Sequence, residues 1–250
     1  MKIARFQYRK RVHWGIVDSN QLLLLKDEPY NAIRHTQIRI PLSKAKLLPP
    51  ATPTKIVLVG LNYRDHAREL NMSVPQEPII FLKPVSALIG HRQPIRYPAG
   101  VKQLDYEAEL AVIIKKNAHC LSTKKIKDYI LGYTCLNDVT ARDLQKKDGQ
   151  WTRAKSFDTF CPLGPWCETE LDINHATIQS YLNGQLRQSS STQQFIFSVE
   201  RLVAFISGIM SLYPGDVIST GTPCGVGPMK RGDTIEVSIS GIGILSNNVA

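Results

Sequence analysis

An α+β, β-rich fold, with a small all-β module ahead of a larger domain, is what these 250 residues predict. Three observations point there. The first 30 residues fall into short apolar or β-branched runs broken by charged or polar turns; a Pro-rich segment at 41–55 follows; and beyond it one strongly amphipathic helix stands among many strand-like runs. The chain is long enough to bury a full core, and 43% apolar with 21% charged residues is ordinary for a soluble globular protein. No apolar run reaches transmembrane length, and residues 1–11 are too basic and interrupted for a signal peptide, so a cytoplasmic protein with no membrane partner is expected.

In order, Ile3 to Tyr8, Val12 to Val17 and Leu22 to Leu25 read as strands, with turns around Arg9 to Arg11 and Asp18 to Asn20. Residues 41–55 (PLSKAKLLPPATPTK) read as a linker between a β-module at 1–50 and a main domain at 55–250. Lys55 to Val59 is a β-branched strand ending at Gly60. Asp65 is placed as N-cap of a short helix carrying His66 and Glu69, and Pro78 to Leu82 is a further strand. Lys124 to Ile130 reads as a helix, Tyr129 to Leu136 as an apolar strand, and Cys161 to Trp166 (CPLGPW) as a rigid turn. Ile178 to Leu182 is a strand with Asn183-Gly184 as its hairpin turn. Ser198 to Leu212 is the best helix, with Ser198 as N-cap and Val199, Leu202, Val203, Ile206 and Met210 on the core face. Val217 to Thr220 and Asp233 to Ile239 close the set as strands, the latter turning at Gly241-Ile242-Gly243.

The net charge of +10 is concentrated: residues 1–50 carry ten Lys or Arg against three Asp or Glu. Phe6, Tyr8 and Trp14 among them keep a nucleic-acid surface conceivable, but a solvated basic face is the simpler reading and no nucleic-acid partner is expected. Five scattered cysteines (Cys120, Cys135, Cys161, Cys167, Cys224) without a CxxC pair argue against a disulfide scaffold or a zinc site.

The chemistry gathers on LDYEAEL, residues 104–110. Glu107 and Glu109 are two apart before a strand-like run, so their carboxylates leave one face. By themselves they read equally as solvated acids on a surface strand or as half of a cation site. Asp138, at the end of the 129–136 strand, would add a third carboxylate, and an oxygen-only set suits Mg²⁺, Mn²⁺ or Ca²⁺ over zinc. His66 and Glu69, at i and i+3, read either as a surface ion pair or as a carboxylate-oriented general base. Lys155 would bring a positive charge to the site or lie on the surface. The loop Gly221 to Gly227 (GTPCGVG) fits close approach of backbone N–H groups to an anion, with Thr222 adding a hydroxyl, and it is neither a dinucleotide nor a P-loop pattern.

Taken together, GLNYRDHAREL (60–70), IIFLKP (79–84), LDYEAEL (104–110), GYTCLNDVTARDLQ (132–145), KSFDTFCPLGPW (155–166), LNGQLRQ (182–188) and STGTPCGVGP (219–228) resemble the fumarylacetoacetate hydrolase family over residues 55–250, and the first 50 residues resemble the small β-module found ahead of that domain in many members. The resemblance implies a mixed β-roll with flanking helices, usually a homodimer. It implies Glu107, Glu109 and Asp138 as ligands of Mg²⁺ (or Mn²⁺, with Ca²⁺ possible), Lys155 as an active-site lysine, and His66 with Glu69 as a catalytic dyad. Arg142, Gln145, Gln188 and Thr222 fall at positions implied to contact substrate or metal-bound water. Lys115 and Ser246 depart from residues common in the family, neither within the acid set. The implied reaction acts on a small anionic 2-oxo or 2-enol acid through a stabilised enolate, with acylpyruvate hydrolysis or oxaloacetate decarboxylation ahead of 2-hydroxyhepta-2,4-diene-1,7-dioate isomerisation, and a non-catalytic binding protein as the rival.

Overall fold

The computed structural model describes all 250 residues. The chain begins as an antiparallel meander, β1 (Lys2–Tyr8), β2 (Arg11–Asp18), β3 (Gln21–Leu25) and β4 (His35–Pro41). Arg9, Lys10 and Ser19 take the left-handed φ values that two-residue hairpin turns need. The segment expected as a linker is itself structured: a 3-10 turn at Leu42–Lys44 leads into β5 (Lys46–Leu48), which pairs with β1, and Pro49, Pro50 and Ala51 are buried.

There follow β6 (Ile56–Val59), α1 (Arg64–Glu69), β7 (Ile80–Lys83), the two-residue β8 (Leu88–Ile89), β9 (Leu104–Tyr106), β10 (Ala108–Ile114), β11 (Ile130–Asn137) and β12 (Thr140–Ala141). Next come α2 (Arg142–Asp148), α3 (Thr152–Lys155), β13 (Cys161–Glu168), β14 (Thr177–Leu182), β15 (Gln185–Ser191) and α4 (Val199–Ile209). The chain ends with β16 (Val217–Ser219), β17 (Gly227–Met229), β18 (Thr234–Ile239) and β19 (Gly243–Asn248). These make three sheets. The large mixed one runs β4-β3-β2-β1-β13-β11-β10-β16-β6-β7, with β5 and β8 attached; smaller ones run β12-β9-β17 and β15-β14-β18-β19. The large sheet stays open, so the fold is a β-roll without a closed barrel. Its first strands are continuous with the rest through β1, which pairs with β13 at Lys2↔Glu168 and Ile3↔Cys167.

Strand β10 is the keel. All seven of its residues are buried, because both faces are covered. Leu110, Val112 and Ile114 pack with Val199, Val203 and Ile206 of α4 and with Ile178 and Val237 of the four-stranded sheet, while Ala111 and Ile113 pack with Ile56, Leu58, Leu136 and Leu163. Helix α4 has the expected cap, the Ser198 hydroxyl accepting the Arg201 N–H. Asn183 and Gly184, both left-handed, join β14 to β15 as expected.

Three local expectations are corrected. Residues 123–129 form a 3-10 helix, short and led by lysines, with only Ile126 buried to hold it down. CPLGPW is the first part of strand β13 and not a turn: Pro162 lies beside the short β8, and Pro165 falls where the β11–β13 register slips between Tyr133 and Cys135, so neither missing N–H breaks a regular ladder. The cap of α1 is Tyr63, and Asp65 lies in the first turn with its carboxylate accepting the His66 N–H. No helix is long and apolar enough to cross a membrane.

Candidate metal centre

The pairing of β10 with β11 builds the acid cluster. Their register sets Ala108 opposite Asn137 and Glu109 opposite Leu136, and one step further the Asp138 N–H donates to the Glu107 carbonyl at 2.9 Å. Glu107 itself sits at the break between β9 and β10, where the chain passes from the small sheet to the large one. Cross-strand partners share a face, so Glu107, Glu109 and Asp138 converge, with one ligand atom from each within 4.8 Å of the others and all three buried.

The surrounding charges come from distant segments. Lys155, at the end of α3, is 2% exposed and its Nζ donates to Asp138 Oδ2 at 2.5 Å and to Glu107 Oε2 at 2.9 Å. Arg142, at the start of α2, donates to Glu107 Oε1 and to Asp105 Oδ2, and also to the Gln145 side-chain oxygen. Burial alone would raise the Glu107 carboxyl, but Lys155 and Arg142 overcome it and hold Glu107 well below the usual carboxylate range. Burial would likewise lower the Lys155 ammonium, and Asp138 and Glu107 instead hold it above its ordinary value. Glu109 is the exception. It accepts from the Ser219 hydroxyl and from the Gly221 N–H (3.0 Å), yet burial first, then the charges of Asp138 and Glu107, push it well up.

Lys83 lies within the IIFLKP motif, and the sequence alone assigns it no role. It is fully buried, 2.8 Å from Asp138 Oδ1, with its three N–H groups donating to the carbonyls of Val139 (2.9 Å), Lys155 (2.7 Å) and Phe160 (2.7 Å). Since those carbonyls take all three protons, Asp138 Oδ1 is left with charge nearby but no hydrogen bond. A buried lysine in a strand reads as surface by type; only the prolyl turn after it and the apolar run before it hint otherwise. Asp105, which holds Arg142, and Ser219, which holds Glu109, likewise carry no local sequence signal of these roles.

The donor chemistry fits a hard divalent cation. Three convergent buried carboxylates, one raised by burial and by the charges of the other two, and one oxygen with no hydrogen bond form a set that a doubly charged ion with oxygen preference would satisfy.

The glycine-rich loop between β16 and β17 does cradle anions, and they are the protein's own. Gly221 N–H holds Glu109, and Gly225 N–H holds Glu69 Oε1 at 3.0 Å. Glu69 Oε2 in turn accepts from His66 Nδ1 at 2.8 Å, which leaves Nε2 as the basic nitrogen. One loop therefore ties the dyad to the acid cluster, its two anchoring N–H groups four residues apart and so no more than about 14 Å from each other. Gln188 and Thr222 fasten this loop: the Gln188 amide accepts the Ala108 N–H (3.0 Å) and donates to Thr222 Oγ1 and the Pro223 carbonyl (both 2.9 Å), while Thr222 donates to the Ala108 carbonyl (2.9 Å). Both side chains are buried and spend their polar atoms on backbone and on each other. Gln145 is partly buried and engaged with Arg142. Over Lys155 lies the ring of Phe81, 5.1 Å from Nζ, itself edge-on to Trp151.

Fold and acid cluster together define the class, a β-rich enzyme of the fumarylacetoacetate hydrolase type. Residues 55–250 match the Fumarylacetoacetate (FAA) hydrolase C-terminal family and residues 1–50 the Rv2993c-like, N-terminal family; the chain belongs to the fumarylacetoacetate hydrolase family, whose enzymes use divalent metals. It is similar to the crystal structure of 5-carboxymethyl-2-hydroxymuconate delta-isomerase from Mycobacterium smegmatis, 40% identical with a TM-score of 0.94 over 100% of this chain and 99% of that one. The mitochondrial oxaloacetate tautomerase Fahd2a of Rattus norvegicus is 41% identical over 84% of this chain and 71% of its own length. Maleylpyruvate hydrolase from Sphingobium sp. SYK-6, solved with manganese (II) ion and pyruvate, is 30% identical with a TM-score of 0.83, over 100% of this chain and 99% of that one.

Proposed function

We propose that the chain is a divalent-metal-dependent enzyme that moves a proton between carbon and oxygen of a 2-oxo or 2-enol dicarboxylic acid, as a keto–enol tautomerase or isomerase. The likeness to an oxaloacetate tautomerase and to a 5-carboxymethyl-2-hydroxymuconate delta-isomerase carries this reading, and the preformed Glu69–His66 pair, held by the same loop that holds Glu109, supplies the base it needs. Glu107, Glu109 and Asp138 would hold the cation, which supplies Lewis-acid polarisation of the substrate's carbonyl and carboxylate oxygens when bound. Lys155 and Arg142 supply positive charge beside the acids for an anionic substrate. Glu69 keeps the proton on His66 Nδ1, so Nε2 takes a proton from the carbon next to the carbonyl and returns it to oxygen or to another carbon. The dyad ends as it began, and no further nucleophile is required.

Hydrolysis of an acylpyruvate is the second reading, favoured by the likeness to a maleylpyruvate hydrolase. There His66 would act on a water that attacks the distal carbonyl, and the C–C bond would break. The test is a metal-dependent panel of enol oxaloacetate, 2-hydroxyhepta-2,4-diene-1,7-dioate and acetylpyruvate. Ketonisation or isomerisation faster than acetylpyruvate cleavage, lost on chelation and restored by Mg²⁺ or Mn²⁺, is the expected result. Cleavage as the dominant reaction would replace the first reading by the second, and no turnover of any of the three with metal would overturn both.

A further inference from the structure

Away from the acids, a cleft of about 950 Å³ lies between the N-terminal strands and the later sheet, a volume within the range of small-molecule sites. Of its 16 lining residues none is Asp or Glu, whereas Lys46, Arg92 and Arg96 are cationic. These three find no carboxylate elsewhere: the arginine ion pairs of the chain are made by Arg34, Arg39, Arg142 and Arg153, and the lysine pairs by Lys55, Lys83 and Lys155. Three unpaired cations facing one concavity repel one another until an anion joins them.

The frame that carries them is fixed. Arg92 stands in the left-handed region at φ 62° with its N–H on the Ser246 carbonyl (2.8 Å), and the Arg96 N–H is held by Thr159 Oγ1 (2.9 Å). His91 Nδ1 accepts the Ser246 N–H (3.1 Å), so its Nε2–H is a donor with no protein acceptor. Burial and the adjacent Arg92 hold His91 down to about 4, which keeps it neutral near pH 7. One wall is the Trp166 ring, immobilised by its indole N–H on the Ile242 carbonyl at 2.7 Å. Bidentate guanidinium donors, an imidazole N–H and a flat apolar wall together match a ligand with anionic groups on a planar or apolar body.

We propose that this cleft binds a small organic polyanion, carrying two or more phosphate or carboxylate groups on an apolar or planar body, at a site separate from the acidic centre. The proposal is independent of which reaction the acidic centre catalyses. From the N-terminal segment, Lys46 is the one cation that lines the cleft.

The test is calorimetric titration of ADP, citrate and pyrophosphate into the full chain, stripped of metal on a chelating resin, at low salt. At least one of these is expected to bind saturably. Arg92→Asn with Arg96→Gln should weaken that binding at least tenfold, since a charge-assisted hydrogen bond contributes about a factor of ten in affinity, with a smaller loss for Lys46→Gln. Both arginine side chains are exposed and unpartnered, so the double variant should melt with the wild type and keep its turnover. Binding should be unchanged in Glu109→Gln, which separates this cleft from the acidic centre. ADP binding more tightly than pyrophosphate would support the apolar wall and a nucleotide, and citrate binding best would support a polycarboxylate. Absence of saturable binding by all three, equal binding by the double arginine variant, or loss of binding in Glu109→Gln would each overturn the proposal.

Discussion

Replacing Glu109 by Gln should stabilise the protein without metal and abolish its stabilisation by metal. Glu109 is 1% exposed, and its ligand oxygen lies within 4.8 Å of those of Glu107 and Asp138. At that separation and an effective dielectric constant of about 20, each like-charge pair costs about 3.5 kcal/mol. Lys155 opposes this only weakly, being the last contributor to the balance on Glu109. Taking up a proton limits the penalty to about 1.4 kcal/mol for each pH unit above the unfolded carboxyl value near 4.3. Because the folded value is raised, stability is fully present below the unfolded value and is lost as pH rises towards the folded one. Gln has the same shape, and its oxygen still accepts from Ser219 and Gly221, so near pH 8 in EDTA it should gain stability, up to a limit of about 5 kcal/mol set by that slope. For a chain of this size each kcal/mol gained raises the melting temperature by roughly 2–4 °C, and the gain shrinks towards pH 5. With millimolar Mn²⁺ the order should reverse, as only the wild type gains. A Glu109→Gln protein that melts below the wild type in EDTA at pH 8, or that gains equally from Mn²⁺, would refute the electrostatic account.

Three further outcomes follow from the same geometry. His66→Ala should lower turnover at least a hundredfold, the usual weight of a positioned general base, while metal-dependent thermal stabilisation persists; full turnover in the variant would remove the dyad from the mechanism. Lys83→Met leaves the carbonyls of Val139, Lys155 and Phe160 without a donor and Asp138 without one of its counter-charges, and should cost about 3–5 kcal/mol in denaturant unfolding. Gly225→Ala would place a Cβ 2.4 Å from the Arg187 carbonyl at a residue with φ 93°, so the loop must shift and release Glu69; turnover should fall about tenfold or more with Mn²⁺ affinity by calorimetry little changed.

What the sequence could show depended on how local the signal was. The short apolar or β-branched runs of β1 to β3, the Asn183-Gly184 turn and the Ser198-capped stripe of α4 are decided within a few residues, and the structure has all of them. Strand β4 has a weak apolar pattern, with only Ile40 buried, so little in its own residues marks it as a strand. Strand β5 hides inside a Pro-rich stretch because its order comes from β1, forty residues earlier, and from no preference of its own. CPLGPW misled for the same reason. Two prolines argue for a turn until β8 and the slipped register of β11 supply a setting in which neither needs an N–H.

The site divides along the same line. Three acids spaced along two adjacent strands are readable because strand period and register converge them, whereas their counter-charges are contributed by Lys83 on β7, Arg142 on α2 and Lys155 on α3, which only tertiary packing brings within reach. That separation explains why one acid is left over. Lys155 bridges Glu107 and Asp138, Arg142 adds to Glu107, and Lys83 approaches Asp138, but no cation pairs with Glu109, which has only a hydroxyl and a backbone N–H. The protein's own cations thus pair with two of the three carboxylates and hold Glu107 well below the usual carboxylate range, and the third is raised by burial and by the charges of the other two. A divalent ion adds the missing charge at that third ligand, so its binding should release a proton from Glu109. Metal affinity should therefore increase with pH until Glu109 is ionised without metal, and the heat of Mn²⁺ titration at fixed pH should vary with the ionisation enthalpy of the buffer. A heat independent of buffer near pH 6 would mean that Glu109 is already ionised, and that the charge balance drawn from Lys83, Arg142 and Lys155 is incomplete.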